Sequence, residues 1–278
     1  MRNLIGGMVL ISLSFVLWRV AAPSARRLLD HGAPVQSAAS SHASRVQNAS
    51  AARPLRVLFV GNSHTLFNDM PHMIARLAEA ARDQRRFDYT VEAVNGATLA
   101  DHLAGTAVRE RLGGSSWDYV VLQEQQQRPT FTFNAEQIDR EFYAPARTLD
   151  VLARAAMAKT VLYMTWARRD GDVDNVLGDN YESMQERSRQ SHMRLAHELD
   201  AMVAPVGLAW RWALHERPTL PLWAADGMHP SLHGSYLAAC VLYAVLYARS
   251  PLDNEFSAGL PREQAAFLQR AAEVARFL

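Results

Sequence analysis

From position 55 onward, short apolar runs alternate with stretches in which apolar residues recur every three or four positions. Arg56-Val-Leu-Phe-Val60 is nearly continuous in apolar and β-branched residues and closes on Gly61-Asn62. That pattern predicts a strand buried on both faces and ended by a tight turn. Tyr89–Val94, Tyr119–Gln123 and Thr160–Thr165 read as further strands, and Ala201–Val206 as a last one. Helical spacing predicts helices over Met70–Arg82, where Pro71 suits a first turn, and over Ala135–Ala156, Tyr181–Leu199, Ala209–Glu216, His233–Ala248 and Arg262–Phe277. Strands alternating with helices imply crossover connections, hence an α/β fold with a parallel sheet covered on both faces. In such sheets ligands bind beyond the carboxyl ends of the strands.

The chain before position 55 obeys other rules. Residues 1–27 place Arg2 ahead of an apolar run from Leu4 to Trp18, followed by Arg19 and the small residues around Pro23. This order describes a secretory signal. The run of about 15 residues is short for a bilayer span, yet no clean small-x-small cleavage site comes after it, so a retained anchor through residues 4–18 stays open beside a cleaved signal. Both imply export from the cytoplasm. Residues 28–54 carry almost no large apolar side chain and neither periodicity, and read as a flexible linker. The folded domain is assigned to 55–278.

Composition narrows the field. Of 278 residues, 49% are hydrophobic, enough for a full core. The formal net charge of +1 gives no reason to expect a nucleic-acid partner. The one cysteine, Cys240, cannot form an intrachain disulfide and lies in an apolar helical stretch, as a small core residue would.

The polar exceptions to the pattern sit where the strands end. Gly61-Asn62-Ser63-His64-Thr65 comes directly after the first strand, and a serine on such a turn exposes its hydroxyl; an ordinary turn with a capping serine explains the segment as well. Asn95-Gly96 comes after the second strand, where glycine offers an unobstructed N–H, although Asn-Gly is also a common turn. Gln123-Glu-Gln125-Gln-Gln127 comes after the third strand, and side-chain amides there can donate to a carbonyl oxygen. Ala225-Asp226-Gly-Met-His229-Pro230 precedes a strongly apolar helix. A hydroxyl nucleophile needs a base, and the base needs a carboxylate to set its tautomer; Asp226 and His229, three apart, are within reach of one another.

In order and spacing these segments resemble the SGNH/GDSL hydrolase superfamily. The resemblance rests on Gly61-Asn62-Ser63, Gly96, the amides of the third block and Asp226-x-x-His229, and covers nearly all of 55–250. It implies a three-layer α/β/α sandwich of flavodoxin-like kind, no cofactor or metal, and a serine esterase, with O-acetyl groups on a carbohydrate as a plausible substrate. It also implies Ser63 as nucleophile, His229 as base and Asp226 as its orienting carboxylate, with the N–H groups of Ser63 and Gly96 as oxyanion donors. The family's third-block asparagine is missing. Gln123, which ends the strand, is expected to replace it, with Gln125 as the alternate. Asn62, and Trp166 by stacking on a sugar ring, are expected at the substrate, although Trp166 and Trp223 would serve equally as core or rim packing.

Two rivals remain. Numerous histidines invite a metal-dependent hydrolase, but no H-E-x-x-H, H-x-H or Cys/His cluster is present. A non-catalytic carbohydrate- or envelope-binding protein would keep the fold and lose the chemistry.

Overall fold

The computed structural model describes residues 52–277. The targeting segment and nearly all of the linker read from the sequence lie outside the described residues. In chain order the elements are β1 (Leu55–Gly61), α1 (Ser63–Leu66), α2 (Met70–Ala80), β2 (Phe87–Ala93), α3 (Leu99–Ala104), α4 (Ala107–Gly114), β3 (Tyr119–Leu122), α5 (Ala135–Ile138) and α6 (Ala144–Ala155). Next come β4 (Lys159–Tyr163), α7 (Tyr181–Leu199), β5 (Met202–Ala204), α8 (Val206–Glu216), α9 (Leu232–Tyr247) and α10 (Arg262–Ala275).

The five strands pair in parallel in the order β2-β1-β3-β4-β5. Alternate side chains of each strand leave by opposite faces, and each face has its own core. Val57, Phe59, Val121, Val161 and Tyr163 pack against α2, α8, α9 and α10. Leu58, Val60, Val120, Leu122 and Leu162 pack against residues of α3, α4, α6 and α7. The result is the expected three-layer α/β/α sandwich, and the continuous apolar strands are its cause. Truncating a residue such as Phe59, fully buried, to alanine should cost about 3–5 kcal/mol. Cys240 lies inside the first core, where burial raises its thiol to about 12, against a hydrogen bond involving Tyr236. It is inert as a nucleophile at neutral pH.

The strand order reverses between β1 and β3, because the chain passes from β1 to one side and returns to the other. That reversal opens a crevice at the carboxyl ends of the strands, and the polar loops gather there.

Boundaries shift where a local rule intervenes. The stretch 135–156 is helical almost throughout, as expected, but a π-turn, Asp139–Tyr143, interrupts its α geometry between α5 and α6. Pro145, in the first turn of α6, has no N–H to give back along the helix. The last strand stops at Ala204 because Pro205 ends the ladder and α8 begins at Val206. Helices α3 and α4 are not foreseen from apolar spacing, being too short to show it. The capping box of α3, in which Thr98 and Asp101 satisfy each other's backbone N–H, was the available signal.

Candidate active site

Asn62 stands between the last residue of β1 and the first of α1, and its bonds shape the serine turn. Its side-chain oxygen accepts from the His64 backbone N–H at 3.2 Å and from Gln123 Nε2 at 3.0 Å, and its amide donates to the Ala97 carbonyl at 2.8 Å. A side chain at Gly61 would displace its neighbours, because a Cβ there would lie 2.6 Å from Gln123 Oε1 and 2.8 Å from Thr65 Oγ1. The turn leaves Ser63 at the mouth of a cavity of about 630 Å³, lined in part by Phe67, Asn95, Gly96, Gln125, Arg168 and His229.

Across that mouth runs the loop 223–230, closed by the bridge between Trp223 and Pro230 and by the Ala224 N–H donating to the His229 carbonyl at 2.8 Å. Gly227 makes its turn with φ +68°, and its carbonyl accepts from Arg169 N–H at 2.9 Å. The loop brings His229 Nε2 to 2.9 Å from Ser63 Oγ. On the other side of the ring, Nδ1 lies 2.6 Å from Asp226 Oδ2. The second oxygen, Asp226 Oδ1, accepts from the backbone N–H groups of Met228 and His229 at 2.9 Å each. Partial burial opposes the charge on Asp226, but these bonds, led by the one from His229, bring its carboxyl down to about 2. The aspartate is therefore ionised at neutral pH. It accepts a hydrogen bond from Nδ1–H and leaves the Nε2 lone pair facing the Ser63 hydroxyl. Such a relay can draw a proton from a hydroxyl as it attacks carbon.

Three further groups brace the site, and apolar spacing had no means of finding them. Phe67 stacks on the His229 ring with centroids 4.3 Å apart, fixing its plane. Asn68, in the left-handed region that asparagine tolerates, donates to the Pro230 carbonyl and to Ser235 Oγ, tying the serine segment to the histidine loop. His64 is buried 5.4 Å from the His229 ring, and its Nε2 has no partner. Burial first, and the neighbouring His229 second, push its imidazole down to about 3, so it stays neutral beside the relay.

The backbone N–H groups of Ser63 and Gly96 donate to no protein acceptor among the described residues, and both residues line the cavity. Gly96 adopts φ +74°, a conformation that favours glycine.

The third block requires correction. Gln123 is buried and its amide is spent away from the cavity. Its Oε1 accepts from Asn62 N–H and Thr65 Oγ1, each at 2.9 Å, and its Nε2 donates to Asn62 Oδ1 and the Glu124 carbonyl. Gln125 faces the cavity instead, with one bond from its Nε2, to Gln127 Oε1 at 3.0 Å. Trp166 is also corrected. It is buried, stacked 4.1 Å from Trp210, and its indole N–H donates to the Met228 carbonyl at 3.0 Å, so no face is left for a sugar. Asn62 touches the cavity wall, but its side chain is committed to the loop rather than to a substrate.

Glu124 is a brace that the sequence pattern did not single out. Its buried carboxyl accepts from Gln125 N–H and from Leu99 N–H at the start of α3, linking the third block to the Gly96 segment. Among the described residues no three His, Cys, Asp or Glu side chains converge as a metal would need.

A solved protein from Slackia heliotrinireducens that carries the SGNH hydrolase name is 32% identical to this chain. The match covers 69% of this chain and 99% of that one, with a TM-score of 0.58. A DUF4886 family protein from Bacteroides uniformis ATCC 8492 is 18% identical over 81% of this chain and 95% of its own, with a TM-score of 0.63. An acetylxylan esterase from Geobacillus stearothermophilus is 16% identical over 70% and 95%, with a TM-score of 0.55. At the last two identities the likeness is one of fold. No family profile and no curated protein matches the sequence. The first likeness, nearly complete over the relative's length and well above the identity at which only fold is shared, shows that the chain belongs to the SGNH hydrolase family, a family of ester hydrolases.

Proposed function

We propose that this chain is a serine esterase that hydrolyses carboxylic esters, with O-acetyl groups on a carbohydrate as the first substrates to test. The observation that carries the reading is the unbroken path from Ser63 Oγ through the His229 ring to Asp226, at 2.9 and 2.6 Å, at the carboxyl edge of the sheet.

In this mechanism Ser63 Oγ attacks the ester carbonyl while its proton passes to His229 Nε2. The imidazolium that forms is stabilised by ionised Asp226, and His64, neutral, adds no repulsion. The oxyanion is held by the N–H groups of Ser63 and Gly96, with the Gln125 amide as the side-chain donor. His229 returns the proton to the departing alcohol, leaving an acyl-serine. Water, deprotonated by His229, then releases the acid. The acetyl-carbohydrate part has weaker support: it rests on the side-chain amides of Asn95 and Gln125 in the cavity wall and on a likeness of fold to an acetylxylan esterase. Export through residues 1–27 belongs to the same proposal, and N-terminal sequencing of the mature protein from fractionated cells tests it.

The test of the activity pairs p-nitrophenyl acetate turnover with labelling by a fluorophosphonate. The wild type should do both, and Ser63→Ala should do neither, with turnover down on the order of 10⁶-fold. Normal turnover by Ser63→Ala would remove the mechanism.

A further inference from the structure

We propose that Arg168 makes this cavity selective for esters that carry a carboxylate elsewhere in the substrate. The inference deepens the esterase reading and rests on it for the reaction, though not for the binding.

Arg168 ends the segment that leaves β4 and lines the same cavity as Ser63, Gly96, Gln125 and His229. It is the one arginine or lysine among the lining residues, and no aspartate or glutamate lines the cavity with it. Its side chain is mostly buried, yet it makes no side-chain hydrogen bond among the described residues, and its Nε is buried without a partner. The nearest carboxylates are Asp172 at 3.8 Å and Asp174 at 3.7 Å, beyond hydrogen-bond distance. Asp172 is already engaged, accepting from Gln127 Nε2 at 2.7 Å and from Asn175 Nδ2 at 3.0 Å. It steadies the guanidinium by charge without using its donors.

A guanidinium presents five N–H groups in a planar fork. Holding its Nε–H buried and unpartnered is unfavourable unless a ligand completes the fork. The remaining lining side chains, Asn95 and Gln125 among them, are neutral donors or apolar. With Asp172 and Asp174 within 4 Å offsetting part of its charge, this one cation matches a monoanion at most. A phosphate dianion would want a second cation, and none lines the cavity. The partner is therefore a carboxylate on the substrate, borne by either the acyl or the alcohol part.

The experiment uses the full-length protein and two matched pairs of esters. The acyl arm compares p-nitrophenyl hydrogen succinate with its methyl-capped, uncharged form. The alcohol arm compares an O-acetylated methyl glucuronide with the corresponding O-acetylated methyl glucoside. The charged member of one pair should show a kcat/KM about 10- to 100-fold above its neutral counterpart, the range expected of a hydrogen bond between charged groups. Arg168→Gln should bring that ratio close to one, Arg168→Lys should keep part of it, and added salt should lower it in the wild type. Equal or lower kcat/KM for the charged member in both pairs, or a ratio unmoved in Arg168→Gln, overturns the proposal.

A second measurement does not depend on turnover. Calorimetric titration of Ser63→Ala with succinate and with methyl glucuronide should show binding that is lost on adding Arg168→Gln. Such binding without any ester turnover would leave this inference standing and remove the esterase reading. Turnover of neutral esters without carboxylate preference or binding would do the reverse. Absence of both would end both.

Discussion

Gln123 and Asn62 hold each other twice: the Asn62 backbone N–H donates to Gln123 Oε1 at 2.9 Å, and Gln123 Nε2 donates to Asn62 Oδ1 at 3.0 Å. The end of β3 thereby clamps the turn that presents Ser63 at the end of β1. In this chain the glutamine that stands where an asparagine was expected sets the serine loop rather than facing the cavity.

Gln123→Ala and Gln125→Ala should therefore fail in different ways. The first strands the buried Asn62 N–H and Thr65 hydroxyl, each lost partner costing about 1–3 kcal/mol. Its melting temperature and kcat should fall together. The second removes one cavity donor and should lower kcat about 10²–10³-fold with little change in melting. A stable, slow Gln123→Ala enzyme beside an unaffected Gln125→Ala would restore Gln123 as the oxyanion donor.

Asp226→Asn keeps an oxygen for the Met228 and His229 N–H groups but removes the charge that fixes the His229 tautomer. We expect kcat to fall about 10⁴-fold at nearly unchanged stability. Steady-state kinetics beside a thermal melt decide it. A loss under tenfold would show that Asp226 does not orient the base.

Glu124 links pH to stability. Unfolded, it ionises near its ordinary 4.5. In the fold, burial raises its carboxyl to about 8 against the bonds from Gln125 and Leu99 N–H. Between about pH 4.5 and 8 the folded state retains a proton that the unfolded state releases, so this group lowers stability as pH rises through that window. Glu124→Gln keeps the Oε1 acceptor and removes the titration. Its melting temperature relative to wild type should rise from pH 5 to pH 8, by about 2–4 °C per kcal/mol for a domain of this size. A difference that is flat with pH would mean the carboxyl titrates normally in the fold.

Trp166→Ala should cost about 3–5 kcal/mol, because it empties a core site against Trp210. Trp166→Phe should lose less, keeping the stacking and giving up the bond to Met228. If Trp166 instead held a sugar, Trp166→Phe would raise KM for an acetylated carbohydrate and spare p-nitrophenyl acetate. We expect both substrates to be affected alike.

The sequence alone determined the layers and the candidate chemistry. Short apolar runs such as Val57–Val60, rich in β-branched residues and closed by Gly61, read as strands buried on both faces, and helices at regular intervals between them imply a parallel sheet with its crevice at the strand ends. Ser63, Gly96, Asp226 and His229 stood out as polar or glycine interruptions at that edge, and the resemblance in order and spacing supplied their expected roles. The direction of a side chain was decided elsewhere. Gln123 and Gln125 are two residues apart and identical in chemistry. Which one faces the cavity depends on Asn62, far back along the chain, and on the depth at which β1 and β3 run side by side. Trp166 turned inward because Trp210 offers a flat partner from α8, and Arg168 stood out only once its missing hydrogen-bond partners could be seen. Periodicity records what a segment buries, whereas the use of a polar group is set by neighbours that only the folded chain brings near.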